Sequence, residues 1–138
     1  MIKIVADTRT RDGTREVYGG IYPAAVMYAT PAFIDKNPRT IQALVNAFVR
    51  GLAFIQNHSP EDIAAIVPQD YALGDKPLYI QAIKNSLPMY SPDGRFSNEG
   101  AETAYRVLKA FDPDVGNAKV DLAATYTDRF VEKAPPAK

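Results

Sequence analysis

The run GGIYPAAVMYATP, Gly19 to Pro31, decides how this chain is read. Two glycines and Pro23 break the backbone at its start, and Pro31 stops it at its end. Between them, Tyr22 to Thr30 is apolar at nearly every position. It shows neither the period of a surface helix nor the alternation of a half-exposed strand. Such a run predicts a strand buried on both faces, with neighbours on either side. Ahead of it, Ile2 to Val5 is a short apolar run rich in β-branched residues and predicts another strand. Asp12-Gly13 is a common hairpin signal, and Arg15 to Tyr18 reads as a brief further strand.

Past Pro31 the pattern turns helical. Pro38 to Asn57 is the clearest element, with Asn37 at the N-cap and Pro38 at the first helical position, where its missing N–H costs nothing. Ile41, Leu44, Val45, Phe48, Val49, Leu52 and Ile55 follow the i, i+3, i+4, i+7 rule, opposite a polar row of Gln42, Asn46 and Arg50. Gly51 inside this helix predicts a close backbone contact. Ser59, with Pro60 and Asp62 behind it, predicts a capped short helix ending near Val67. Asp75 to Leu87 reads as a third helix, with Leu78 or Tyr79, Ile83 and Leu87 on one side. Tyr90 to Gly94 is a turn-rich loop. Ser97 then caps a helix to Phe111 whose apolar face is Ala101, Ala104, Tyr105, Leu108 and Phe111. Asp121 caps a last helix carrying Leu122, Tyr126 and Phe130, and Ala134 to Lys138 is a Pro-rich tail.

The expectation is therefore an α/β chain, predominantly helical, with two or three short N-terminal strands followed by about five helices. A sheet of two or three strands is marginal alone, and the rest of the chain supplies no neighbours for Tyr22 to Thr30. Open sheet edges follow, covered by a partner chain or by a lobe that this chain lacks.

The chain has 138 residues, 16 Lys and Arg, 16 Asp and Glu, one His and no Cys, so its formal net charge is zero. That balance argues against a nucleic acid or an anionic membrane as partner. The missing cysteines exclude disulfides and thiolate chemistry, and 46% hydrophobic residues exclude a disordered chain. The longest uncharged run, Val17 to Ile34, carries Gly19, Gly20, Pro23 and Pro31 and makes a poor transmembrane helix. No signal-peptide pattern stands at the N-terminus, which as written predicts a chain that stays in the cytoplasm.

Several of these features recur in a known order. G-G-x-Y-P (Gly19, Gly20, Tyr22, Pro23), a strand, F-I-x-x-N-P (Phe33, Ile34, Asn37, Pro38), a long amphipathic helix, the Ser59-Pro60-Glu61-Asp62 helix, and D-L-x-x-x-Y-T-x-x-F (Asp121, Leu122, Tyr126, Thr127, Phe130) follow one another. This series is similar to the C-terminal half of ABC-importer substrate-binding proteins of the nitrate/sulfonate/taurine type, which share a fold with the thiamine-pyrimidine precursor synthases. The resemblance implies part of a type II periplasmic-binding-protein-like fold, two lobes closing on a small anionic or zwitterionic solute. Residues 1–18 would end the second lobe, 19–30 would form the hinge and returning strand, 31–134 would pack on the first lobe, and 135–138 would be a tail. It also implies a periplasmic setting and an ABC permease as partner. The first lobe's opening strands and most of the second lobe are missing from the pattern.

Candidate ligand contacts lie near that hinge. Arg9, Arg11 and Arg15 suit an anion, since guanidinium pairs bidentately with sulfonate or carboxylate. The plainer reading is a solvated loop neutralised by Asp7, Asp12 and Glu16. Tyr22 offers a hydroxyl beside the hinge or simply packs there, and Tyr28 faces the cleft mouth or the sheet core. His58 ends the long helix, where an imidazole suits the dipole better than it suits catalysis. Glu61-Asp62 and Glu99/Glu102 stand in first helical turns, where the dipole favours them. No phosphate loop or nucleophile elbow is present. The reading is a binding module with no cofactor and no catalytic residue. The alternatives are a ligand-free helical protein that dimerises through open sheet edges, and a thiamine-pyrimidine precursor synthase-like enzyme.

Overall fold

The computed structural model describes residues 3–135, and among them there is no strand. The α/β expectation is corrected: the chain is helical, with irregular segments between the helices. Arg15 to Tyr18 belongs to α1 (Arg11–Tyr18). Thr10 caps that helix by accepting from the Gly13 N–H at 3.1 Å, and Asp12 complements the dipole in its first turn. Asp12-Gly13 is thus a helix start. A Cβ at Gly13 would stand 1.8 Å from the Asp7 carbonyl oxygen, so the glycine lets the preceding loop lie against the helix. Of the strand expected at Ile2 to Val5, Ile2 lies outside the described residues and 3–5 pair with nothing.

Tyr22 to Thr30 is non-helical, as expected, but forms no ladder. No backbone hydrogen bond among the described residues involves positions 22–29. Val26 is 49% and Tyr28 91% exposed. Ala29, near its end, packs on the core.

The helices after it follow their capping signals closely. Thr30 caps α2 (Pro31–Lys36), a short helix the sequence reading did not separate. Next is α3 (Pro38–Asn57). Asn37 precedes it without the expected side-chain cap; its Nδ2 donates instead to the Phe33 carbonyl, closing α2. α4 (Pro60–Ile66) carries the full reciprocal capping box of Ser59 and Asp62. α5 (Lys76–Ser86) starts on Asp75, and its inward residue is Tyr79, since Leu78 is exposed. α6 (Asn98–Phe111) starts on Ser97. Its buried positions are Gly100, Ala101 and Thr103, so the expected face is displaced and Phe111 is left 85% exposed. α7 (Pro113–Asn117) follows.

The last expected helix is absent. Only a 3-10 turn, Leu122–Ala124, forms on Asp121. The chain beyond it is a strap held by side chains. The Tyr126 hydroxyl donates to Asn98, Asp128 accepts from the Phe96 N–H, and the Gln42 amide donates to the Phe130 carbonyl. The strap drives Phe130 into the core.

That core is small. Ile41, Val45 and Phe130 are buried together, with Ala29, Ile34, Val49 and Val131 around them. Leu44 and Phe48, the other apolar row of α3, are 45% and 59% exposed. The row continues at helical spacing through Gly51 to Ile55, into an open groove of about 370 Å³ between α3, α4 and α5. The close contact expected at Gly51 is missing, because nothing would meet a Cβ there within 4 Å. The chain exposes 10597 Å², whereas a compact monomer of 15.1 kDa exposes about 7,000 Å².

Phe130→Ala should lower unfolding free energy by about 2–4 kcal/mol, while Phe111→Ala should change it by less than ~0.5 kcal/mol. Urea titration followed by helical circular dichroism measures both, and equal losses would refute this placement of the core.

Candidate functional site

The residues around the double glycine form the best-defined junction in the chain. α1 ends on Gly19, which adopts the left-handed conformation (φ 71°) and donates its N–H to the Arg15 carbonyl. Gly20 then crosses α6. A Cβ on Gly20 would lie 2.2 Å from Thr103 Oγ1 and 3.3 Å from its Cβ, so only glycine lets the backbone pass so close. Pro23 rests against Gly100. The small side chains of α6 are buried because the chain lies directly on them.

Polar contacts fasten this crossing. The Arg15 guanidinium meets the Glu99 carboxylate at 3.3 and 3.4 Å through Nε and Nη2. Glu99 Oε1 also accepts from the Ile21 N–H at 3.2 Å. Arg106 donates from Nη2 to the Tyr18 carbonyl at 2.6 Å, the free acceptor at the end of α1. The Tyr18 and Tyr22 rings stack with centroids 4.5 Å apart. The Arg15 hydrogen bond, the Ile21 N–H and the more distant Arg11 charge together hold the Glu99 carboxyl below its ordinary value of 4.5.

The four candidate ligand residues fare differently. Arg9 grips Asp7 with Nε at 2.8 Å and Nη2 at 2.5 Å, and this pulls the Asp7 carboxyl from 3.8 to about 2. Its fork is therefore occupied. Arg11 stands exposed in the first turn of α1 with no ion pair among the described residues. Tyr22 is half-buried on Tyr18, beside the crossing. Tyr28 stands in the non-helical segment and is almost wholly exposed. Arg11 acts on the Glu99 carboxyl by its charge, and Tyr22 stacks on Tyr18 one residue past the Ile21 N–H that Glu99 holds.

Sequence reading passed over Glu99, Thr103 and Arg106 as parts of this junction. The available signal was the cluster Gly100, Ala101, Thr103 and Ala104, since small residues on one helix sector mark a close backbone approach. His58 does end α3. Its Nδ1 lies 2.9 Å from the Phe54 carbonyl, and its ring stacks on Phe54. Asp62 is used in the capping box, where the Ser59 hydroxyl and N–H lower its carboxyl. The guanidinium groups of Arg9, Arg15 and Arg106 are already engaged, by Asp7, by Glu99 and by the Tyr18 carbonyl. The arrangement offers no nucleophile paired with a base.

No protein-family model matches the chain, and no curated protein matches it. A solved structure of a protein from Bordetella bronchiseptica RB50 is similar, with 45% sequence identity and a TM-score of 0.90 over 96% of this chain. The match covers 42% of that protein, so the present chain spans less than half of its length. Among the described residues no helix is long and apolar enough to cross a membrane.

Gly20→Ala should cost about 1–3 kcal/mol through overpacking against Thr103, and adding Thr103→Ala should recover part of the loss. Strictly additive losses in the double variant would refute the contact. Because the Glu99 carboxyl is depressed, its contribution is present above pH 4.5 and lost as pH falls through its folded value. Asp7 acts likewise between pH 3.8 and about 2. The urea midpoint should therefore drop on the acid side, and Glu99→Gln should make that drop shallower.

Proposed function

We propose that this chain is the C-terminal portion of a solute-binding component of an ABC importer, taking a small anionic or zwitterionic organic solute such as a sulfonate, nitrate or a taurine-like compound. One observation carries the reading: the non-helical segment Ala24 to Ala29 exposes Val26, Met27 and Tyr28 and makes no backbone pair among the described residues. A segment of that composition is suited to the middle of a sheet. The match to less than half of the Bordetella protein supports a chain that is one part of a larger architecture.

In this reading the Gly19–Pro23 crossing is the returning hinge, and Arg11 with Tyr22 faces the cleft. Arg11 supplies charge and Tyr22 a hydroxyl and a ring, the pairing that a sulfonate or carboxylate on a short organic body needs. Ligand contacts made in the closed state alone drive closure, so the mechanism is a population shift with no chemical step. The assembled receptor would work in the periplasm and hand its solute to a permease. A precursor synthase has less support, since the single imidazole is spent on the end of α3.

The test is a chimera in which this chain replaces the matching 42% of the Bordetella protein. Thermal unfolding is followed with taurine, alkanesulfonates, nitrate and aromatic carboxylates. At a hundredfold excess over Kd a true solute should add about 2.7 kcal/mol of stability. Arg11→Ala and Tyr22→Ala should each reduce the gain. A correctly folded chimera that none of these compounds stabilises would overturn the proposal.

A further inference from the structure

The strap from Tyr126 to Glu132 reaches α2, α3 and the start of α6, and every one of these contacts uses a side chain. The Tyr126 hydroxyl donates to Asn98, and its ring lies against Phe96 with centroids 5.0 Å apart. Asp128 Oδ1 accepts from the Phe96 N–H at 3.1 Å. Gln42 of α3 donates from Nε2 to the Phe130 carbonyl at 2.8 Å and to Asn46 Oδ1 at 2.9 Å. Arg129 meets Asp35 of α2 at 3.8 Å, and Glu132 meets Arg95 at 3.5 Å. The backbone bonds of the strap, from the Glu132 N–H to Asp128 and from the Ala134 N–H to Val131, stay inside it. Among the described residues no backbone-to-backbone hydrogen bond ties it to a helix.

We infer that residues 126–132 are a releasable clasp over α3, which leaves as one unit while α3 and α6 keep their helical ladders. Three kinds of contact hold it closed. The two ion pairs stand half exposed and contribute little. The side-chain hydrogen bonds exchange for bonds to water on opening, so each adds modestly. Burial of Phe130 is the main one, and it is a single side chain. Opening returns backbone freedom to the strap and breaks no helical turn. Melting the 20-residue ladder of α3 comes on top of that, so the clasp releases first.

Release changes what α3 presents. Ile41 and Val45 lose the ring that seals them and join Leu44 and Phe48, which are exposed already. Both apolar rows of one helix are then accessible together. Gln42 is the positioning residue of the closed state, since its amide, held on one side by Asn46, fixes the carbonyl of the residue that fills the core. This device is independent of whether a solute binds.

The chain has no cysteine, so Val45→Cys places a single thiol beneath the clasp. Its reaction with dithiobisnitrobenzoate in native buffer reads clasp opening, while hydrogen exchange of the α3 amides reads unfolding of the helix. Opening by the first measure should exceed opening by the second by roughly tenfold or more. Gln42→Ala weakens the closed clasp and should raise the thiol reaction about two- to tenfold. Ala47→Gly, at an exposed position inside α3, weakens the helix in the closed and open states alike. It should speed α3 exchange about fivefold and leave the thiol reaction unchanged. A thiol that reacts no more readily than α3 unfolds, or that speeds up with Ala47→Gly, overturns the inference, because the strap then leaves only with the whole fold. Where Val45→Cys does not fold, the Phe96 and Glu132 amides of the otherwise unaltered chain give the same reading: they should exchange faster than those of α3 and ignore Ala47→Gly, and an equal response to that substitution overturns the clasp.

Discussion

The fold depends on a shortage of cover for α3. That helix is apolar along two rows, and the chain can cover one. Ile41 and Val45 are sealed by Phe130 and the residues around it, while Leu44 and Phe48 face outward. Burying a large apolar side chain is worth about 1.5–3 kcal/mol, so leaving such a row open forfeits a substantial part of a domain's margin. The groove at Gly51 and the excess surface are consequences of the same shortage. A helix with apolar character on two sides is built to be sandwiched.

What held from sequence to structure was local chemistry. The caps at Ser59, Asp75 and Ser97 act within three residues of themselves, and their hydrogen bonds form whatever else the chain does. What failed was the sheet. A strand is stabilised by its neighbours, and apolar β-branched composition reports that a segment suits a sheet without supplying one. Tyr22 to Thr30, expected as a strand, is irregular, with a bend at Ala25 and no paired neighbour among the described residues. Arg15 to Tyr18 failed for a different reason: Thr10, five residues before that stretch, already caps a helix through it. The last helix failed because long-range bonds from Asp128, Phe130 and Tyr126 outcompete a helical ladder that Thr125 and Thr127 disfavour.

The candidate site was half legible. The double glycine, Tyr22 and the arginines stand out in the sequence, and the turn they mark is real. Which arginine is spoken for could not be read, since Arg9 closes on Asp7 two residues away while Arg15 reaches Glu99 across 84 positions. Spacing favours the first pairing and says nothing about the second. Gly100 and Thr103 were hidden for a related reason. Their importance comes from the backbone that crosses them, and that backbone belongs to a distant part of the chain.

Anchoring at both ends changes what the open segment can do. A free peptide that joins a sheet must lose about 1–2 kcal/mol of backbone entropy per residue ordered. Here the Glu99 bond to Ile21 and the α2 cap at Thr30 fix the two ends of the unpaired segment. Part of the cost of ordering this segment is therefore offset by contacts within the chain. The same anchors limit slippage. Neither the Gly20–Thr103 crossing nor the Ala29 contact can follow a shift of the segment by one residue. The junction around the double glycine thus fixes where the segment leaves α1 and crosses α6, which gives Glu99, Thr103 and Arg106 a structural purpose independent of any solute.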